Sequence, residues 1–305
     1  MLHALKSIFK KEKTIEQKNT DTSLIEQFMY PKLGPGQMWE TVAQIIEEKG
    51  GVIIKNSEVI DLDIANYQVN GLAYLNRTTN LKSKIVGDYF FSTMPVKDLL
   101  NSMGSKVPLI VKNVSDGLQY RDFITVGLLL NKLKIKNETK NGLIRDNWIY
   151  IQEREVKVGR LQIFNNWSPY MVADIEKVWI GLEYFCNEGD ELWEKKDDEF
   201  IQFAIDELHS IDIIDKNEVI DKTLIRMPKT YPAYFGTYSQ FNIIRDYTNK
   251  FENLFLVGRN GMHKYNNQDH STLTAITAVN NIISGVKSKD NIWNINTEEE
   301  YHEEK

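Results

Sequence analysis

The chain reads as a mixed α/β (α+β) protein on three observations. First, residues 253–283 run strand, glycine turn, helix. Leu254, Phe255, Leu256 and Val257 form a short apolar run closed by Gly258, and a polar loop rich in Gly and Asn extends from Arg259 to Gln268. Beyond it, Leu273, Ile276, Val279 and Ile283 recur at helical spacing. Second, from about residue 112 the chain turns to apolar, β-branched and aromatic runs separated by polar loops, the pattern of an antiparallel sheet. Third, residues 36–50 and 190–209 carry helical periodicity.

The elements follow in order. The start, MLHALKSIFKKEKT, is basic and amphipathic, with Leu2, Leu5, Ile8 and Phe9 on one face. It reads either as a solvent-facing internal helix or as a segment that touches an anionic membrane surface peripherally. Residues 36–50 form a helix with Met38, Val42, Ile45 and Ile46 as its apolar face, ended by Gly50 and Gly51. Short strands are expected at 52–54 and 58–62, and further strands at 67–76 and 84–92. Pro95 opens a helix over 96–103. Strands are then expected at 123–133, 148–152, 160–167 and 178–186, a helix at 190–209, an extended segment at 226–234 held by Pro228 and Pro232, and a helix at 239–250. Asp269 or Ser271 is placed to cap the last long helix. The segment after Gly285 is polar and acidic, with Trp293 as its anchor.

The 305 residues, 42% of them hydrophobic and 11% aromatic, suffice for one large or two ordinary domains with real cores. A net charge of −6 argues against nucleic acid as the main partner. No apolar run approaches the roughly 18 residues of a membrane span. The one cysteine, Cys186, lies in an apolar run and reads as a small core residue, in keeping with a cytoplasmic, reducing compartment.

Chemistry concentrates around the C-terminal strand–turn–helix. A helix start presents backbone N–H groups, and its dipole favours negative charge by about 0.3–1 kcal/mol, so the turn after Gly258 can hold an anion or a polarised ring; it can equally be an ordinary corner. Arg259 can meet a phosphate through both arms of its guanidinium or pair with a surface acid. Asp269 can bond a ligand hydroxyl, cap the helix, or both. His270 beside a bound ring can position it or relay a proton. His263 and His270 lack a third partner for a metal, and none is expected. Tyr231, Tyr234, Phe235 and Tyr238 can wall a substrate site or simply pack a sheet–helix junction. The chain has no nucleophile elbow, Walker loop or His-Glu-x-x-His, which disfavours hydrolase, NTPase and zincin readings.

Four stretches taken together resemble one family. They are Gly258-Arg259, Gly261 and Tyr265-Asn266-Asn267-Gln268-Asp269 with the small-residue helix after them; Tyr30-Pro31-Lys32-Leu33-Gly34-Pro35-Gly36-Gln37-Met38-Trp39; Phe91-Ser92-Thr93-Met94-Pro95; and the tail from Trp293 to Glu304. They occur in the order in which FAD-dependent amine oxidase and protoporphyrinogen oxidase-like proteins carry them, with a look closest to UDP-galactopyranose mutase-like members. The departure is that no Gly-x-Gly-x-x-Gly unit fits anywhere. The chain therefore resembles the C-terminal part of such a protein.

The resemblance implies a partial FAD-binding Rossmann-like domain over 30–111 and 246–285, an inserted antiparallel-sheet substrate domain over 112–245, an N-terminal helix or loop over 1–29 and an acidic tail over 286–305. It implies FAD as cofactor, held by Val59 (through its backbone), Gly258, Arg259, Tyr265, Asn267, Gln268 and Asp269, with Tyr231, Tyr234 and His270 at the reacting end. It implies a small-molecule substrate, a role in nucleotide-sugar or polysaccharide metabolism, and a separate N-terminal FAD-binding fragment as a candidate partner. The rival reading is a non-catalytic binding protein or truncated paralogue without flavin.

Overall fold

The computed structural model describes residues 29–135 and 143–295, so the expected basic N-terminal helix and the end of the acidic tail lie outside the described residues. Helix α1 (Pro35–Glu48) starts at a proline and stops at the Gly50-Gly51 pair. The stretch expected as a strand at 52–54 forms no strand and pairs with nothing among the described residues, and Val52 is 82% exposed. A strand needs a ladder partner, and none lies beside it. Strands β1 (Ser57–Ala65), β2 (Gln68–Asn76) and β3 (Lys82–Val86) form an antiparallel meander. The run expected as one strand over 84–92 is broken near Gly87 into β3 and β4 (Phe90–Ser92), which belong to different sheets. Helices α2 (Val96–Ser102) and α3 (Leu109–Asp116) follow.

Next comes a five-stranded antiparallel sheet. Its strands are β5 (Tyr120–Leu130), β6 (Trp148–Tyr150), β7 (Arg160–Ile163), β8 (Val178–Cys186) and β9 (Val219–Pro232), in the order β6-β7-β8-β5-β9. Between them lie α4 (Phe164–Trp167), α5 (Glu191–Glu194) and α6 (Asp197–Ser210). Two expectations shift here. The strand foreseen over 160–167 ends at Ile163 in a helical turn, and the helix foreseen over 190–209 is two helices separated at Lys195. Asp190 caps the first of these through the backbone N–H of Trp193.

The chain closes through α7 (Phe241–Thr248), β10 (Leu254–Leu256), the single turn α8 (Gly258–Gly261), α9 (Gln268–Ile283) and α10 (Asp290–Trp293). β10 pairs in parallel with β4, Leu254 opposite Phe90 and Leu256 opposite Ser92. Among the described residues that sheet has two strands only.

Alternation along the strands sets the cores. In the five-stranded sheet Ile124, Val126, Leu128, Leu161, Ile180 and Leu182 point to one face, where Phe200, Ala204 and Leu208 of α6 cover them. β10 is buried on both faces: Leu254 and Leu256 join a core with α2, α3 and α7, while Phe255 and Val257 join Met262 and Ala278 on the other side. α9 departs from expectation most. Its buried residues are Thr274, Ala278 and Asn281, and the apolar stripe Leu273, Ile276, Val279 and Ile283 faces outward. Among the described residues nothing lies over that stripe. Among those residues, too, no helix is long and apolar enough to cross a membrane.

Candidate functional site

A pocket of about 530 Å³ opens where β10 ends. It lies within the roughly 300–1,000 Å³ usual for small-molecule sites. Trp39, Thr93, Val257, Gly258, Arg259, Asn266, Asn267, Gln268, Ser271, Thr272 and Ala275 line it. The local sequence explains the shape. Gly258 sits at φ +75°, which turns the chain sharply out of the strand. Its N–H donates to Thr274 Oγ1 at 2.9 Å, which fastens the turn to α9. At Gly261 the backbone passes so close to β4 that a Cβ would stand 2.4 Å from the Ser92 carbonyl oxygen. From α1, Trp39 reaches across and donates from Nε1 to Gln268 Oε1 at 3.3 Å.

Two features make this pocket receptive to an electron-rich group. α9 begins at Gln268, with Asn267 in the cap position and no side-chain cap, so backbone N–H groups of its first turn are left for the pocket. Asn266 is 1% exposed, and its Nδ2 has no hydrogen-bond partner. A buried donor left unpaired costs on the order of 1–3 kcal/mol, so a partner in the pocket would be strongly favoured. The cap foreseen at Asp269 or Ser271 falls elsewhere: the helix starts earlier, Asp269 lies in its first turn, and the Ser271 Oγ donates to Asn266 Oδ1 at 2.6 Å.

Beside the pocket stands a wall of aromatic rings and guanidinium groups. Tyr231 stacks on Tyr265 with centroids 6.1 Å apart, and the Arg259 guanidinium lies 5.2 Å and 4.7 Å from those rings. Arg259 Nε donates to the Asn266 carbonyl at 2.9 Å, and the Tyr265 N–H donates to Tyr234 Oη at 2.6 Å. The end of β9 is tied in by Asn260 Nδ2, which donates to the Lys229 carbonyl at 2.9 Å, and by the Lys229–Asp98 ion pair at 2.7 Å.

The wall continues onto the open face of the five-stranded sheet. Arg160, 3% exposed, pairs with the buried Glu183 and donates from Nη2 to Tyr231 Oη at 3.2 Å. It stacks against Trp148 at 4.6 Å and Phe185 at 4.9 Å. Gln162 Nε2 also donates to Glu183.

Of the residues expected from sequence, Gly258, Arg259, Asn267 and Gln268 line the pocket itself. Tyr231, Tyr234 and Tyr265 stand in the adjoining wall. Asp269 is half exposed in the first turn of α9. His270 is more buried, with Nδ1 3.6 Å from Asp269 Oδ1. Val59 lies apart, in β1 opposite Tyr74, against the α2–α7 core.

Sequence reasoning missed Asn266 as an unpaired donor, and missed Arg160, Glu183 and Trp148 altogether. Asn266 was visible only as one letter of a motif. Arg160 and Glu183 become neighbours only through the β7–β8 register, which sets them opposite each other.

The residues fit the ring end of a flavin: a pocket of suitable size, an uncapped helix start, a buried unpaired amide donor, and apolar sides from Trp39, Val257 and Ala275. The dinucleotide end is another matter, because no Gly-x-Gly-x-x-Gly unit is present in the sequence.

The sequence matches no protein-family model and no curated protein. Its fold is shared with solved structures. A reduced UDP-galactopyranose mutase superposes with a TM-score of 0.67 at 16% identity, over 87% of this chain and 55% of the mutase. A candidate protoporphyrinogen oxidase from Exiguobacterium sp. 255-15 superposes with a TM-score of 0.57 at 12% identity, over 77% of this chain and 48% of that one. The chain thus spans about half the length of the solved structures it matches, and its fold is that of part of such a protein. That partial coverage fits the C-terminal part expected from sequence.

Proposed function

We propose that this chain forms the ring-binding side of an FAD-dependent oxidoreductase site. The observation that carries the reading is the pocket at the end of β10, where the uncapped start of α9 and the unpaired Asn266 Nδ2 meet. A flavin held there would supply hydride or electron transfer. The chain's own residues do the rest. The α9 dipole and the Asn266 amide stabilise negative charge at the edge of the ring. Trp39 and Ala275 keep water from its sides. Arg259 holds the loop carrying Asn266 in place through the Asn266 carbonyl. Asp269 would offer its carboxylate to a ribityl hydroxyl, and His270 beside it would position the ring or relay a proton. The expectation for Val59 is an adenine contact through its backbone alone.

The wall beside the pocket points to an anionic substrate with a flat portion. Tyr231 and Tyr265 offer stacked faces, and Arg259 brings positive charge to them in a chain whose net charge is negative. A nucleotide-sugar has both properties. Arg160, its charge already met by Glu183, holds Tyr231 in place through the Tyr231 hydroxyl, so that ring need not be reordered on binding.

The test is a titration of the purified chain with FAD and with riboflavin, followed by the visible absorption spectrum and by quenching of flavin fluorescence. Binding by the native chain is expected, weakened about tenfold in Asn266→Leu, in line with the loss of one hydrogen bond to a polarised group. A folded chain that neither shifts the spectrum nor quenches the fluorescence would leave the non-catalytic binding protein as the reading.

A further inference from the structure

We propose that Lys229 is a positioning residue of the pocket: through its ion pair with Asp98 it fixes the aromatic wall relative to the loop that carries Arg259 and Asn266. The ordering of that loop stands on geometry alone, whereas its effect on a flavin rests on the reading above.

The backbone at Lys229 is itself unusual. In β9 three residues, Pro228, Lys229 and Thr230, stand against Asp122 alone, between the pairs Arg121–Tyr231 and Phe123–Met227. Lys229 occupies the left-handed region at φ +54°. Glycine adopts that backbone without penalty and lysine does not, so the conformation persists because its surroundings hold it. Those surroundings are three separate parts of the chain. The Lys229 N–H donates to Oδ1 of the buried Asp122 at 2.6 Å, and the other oxygen of Asp122 accepts the Glu188 N–H. The Lys229 carbonyl accepts from Asn260 Nδ2 at 2.9 Å. Its Nζ donates to both carboxylate oxygens of Asp98 at 2.7 Å.

The ties to α2 and α8 each end close to a residue of the site. Asp98 lies in the first turn of α2, and the Pro95 that precedes this helix follows closely on Thr93, which lines the pocket. Asn260 is the neighbour of Arg259, whose Nη1 lies 3.5 Å from the Thr230 carbonyl oxygen. Just beyond Lys229 in β9 stands Tyr231, stacked on Tyr265. One residue thus joins β5, α2 and α8 through its three polar groups, with Thr93, Arg259 and Tyr231 at its margins. The pair with Asp98 is not a core contact. The two side chains are 31% and 35% exposed, so salt screens them, and losing the pair loosens the loop without unfolding the protein.

The experiment uses the full chain and three variants. Lys229→Gly accepts the backbone conformation and removes the side chain, Asp98→Asn removes the charge that faces it, and the third variant combines the two. Hydrogen exchange of the amides of residues 258–266 is followed by mass spectrometry, and riboflavin affinity is measured beside it. Each single variant should speed exchange in that loop at least about tenfold and weaken riboflavin binding about tenfold, while β5, β8 and the melting temperature stay native. The double variant should do no more than either single one, because both remove the same interaction. Lys229→Arg should behave as the native chain. Salt at about 1 M, where the Debye length is about 3 Å, should loosen the native loop and leave the variants unchanged.

Native exchange of the loop in both single variants would overturn the proposal. So would single effects that add in the double variant, or a loosening in Lys229→Gly that Asp98→Asn does not share, which would give the role to the bulge backbone. Loss of protection in β5 and β8 along with the loop would reduce the pair to a contributor to stability, and overturns it as well. The two readings fail separately. A native chain that binds no flavin removes the flavin and leaves the exchange test standing, whereas flavin bound equally by the native chain and the variants, with the loop unchanged, removes the role of Lys229 alone.

Discussion

Single residues in this protein are placed by what they lack as much as by what they touch. Asn266 spends its carbonyl on Arg259 and its Oδ1 on Ser271, and keeps a buried amide in reserve. Arg160 is the opposite case, saturated by Glu183, Tyr231 and three aromatic faces. His263 is structural. It is fully buried between Tyr120 and Phe241, with Nε2 3.2 Å from the Ala233 carbonyl, and burial pushes its pKa down to about 4. The sign of the consequence follows from linkage. The unfolded imidazole titrates near 6.5, so between about pH 6.5 and 4 the unfolded chain binds the extra proton. The contribution from His263 is therefore fully present above pH 6.5 and lost as pH falls toward 4. Denaturant unfolding across that window should show stability declining with acid, and His263→Gln should flatten the slope. An unchanged slope would mean that another group carries it.

At the scale of elements, the strand–turn–helix corner depends on close backbone approach. Gly261 lets the α8 turn rest on the end of β4, which in turn carries Thr93 into the pocket lining. A methyl group there has no side chain to push aside, only the Ser92 carbonyl. Gly261→Ala should cost about 1–3 kcal/mol in chemical denaturation and should weaken flavin binding as the turn shifts. An alanine variant with native stability and native binding would show that the corner yields more easily than its packing implies. The sequence marked this corner because an apolar run, a glycine and a helix start stand next to one another along the chain. It could not mark the wall, because β7, β8 and β9 meet there across long separations, and their register is decided by pairing.

For the molecule as a whole, two kinds of core produce two kinds of behaviour. The five-stranded sheet is covered on one face by α6, and its central strands β5 and β8 are paired on both sides. The β4–β10 pair is short and open-edged, beside helices that keep apolar faces uncovered. Native-state hydrogen exchange should accordingly show β5 and β8 opening only with global unfolding. Amides of β4 and of α1 should exchange through smaller openings at least tenfold faster. Uniform protection across both sheets would contradict this division.

The sequence by itself determined the mixed α/β character, most of the elements, the glycine corner and the resemblance to part of a flavoprotein fold, because these depend on period, punctuation and short spacing. Only the tertiary structure decided which apolar stripes are buried. Met38, Val42 and Ile45, and Leu273, Ile276 and Val279, have the spacing of core-facing helices, yet they face outward. Amphipathic spacing states that a face needs cover, whereas the presence of that cover depends on neighbours that no local pattern contains.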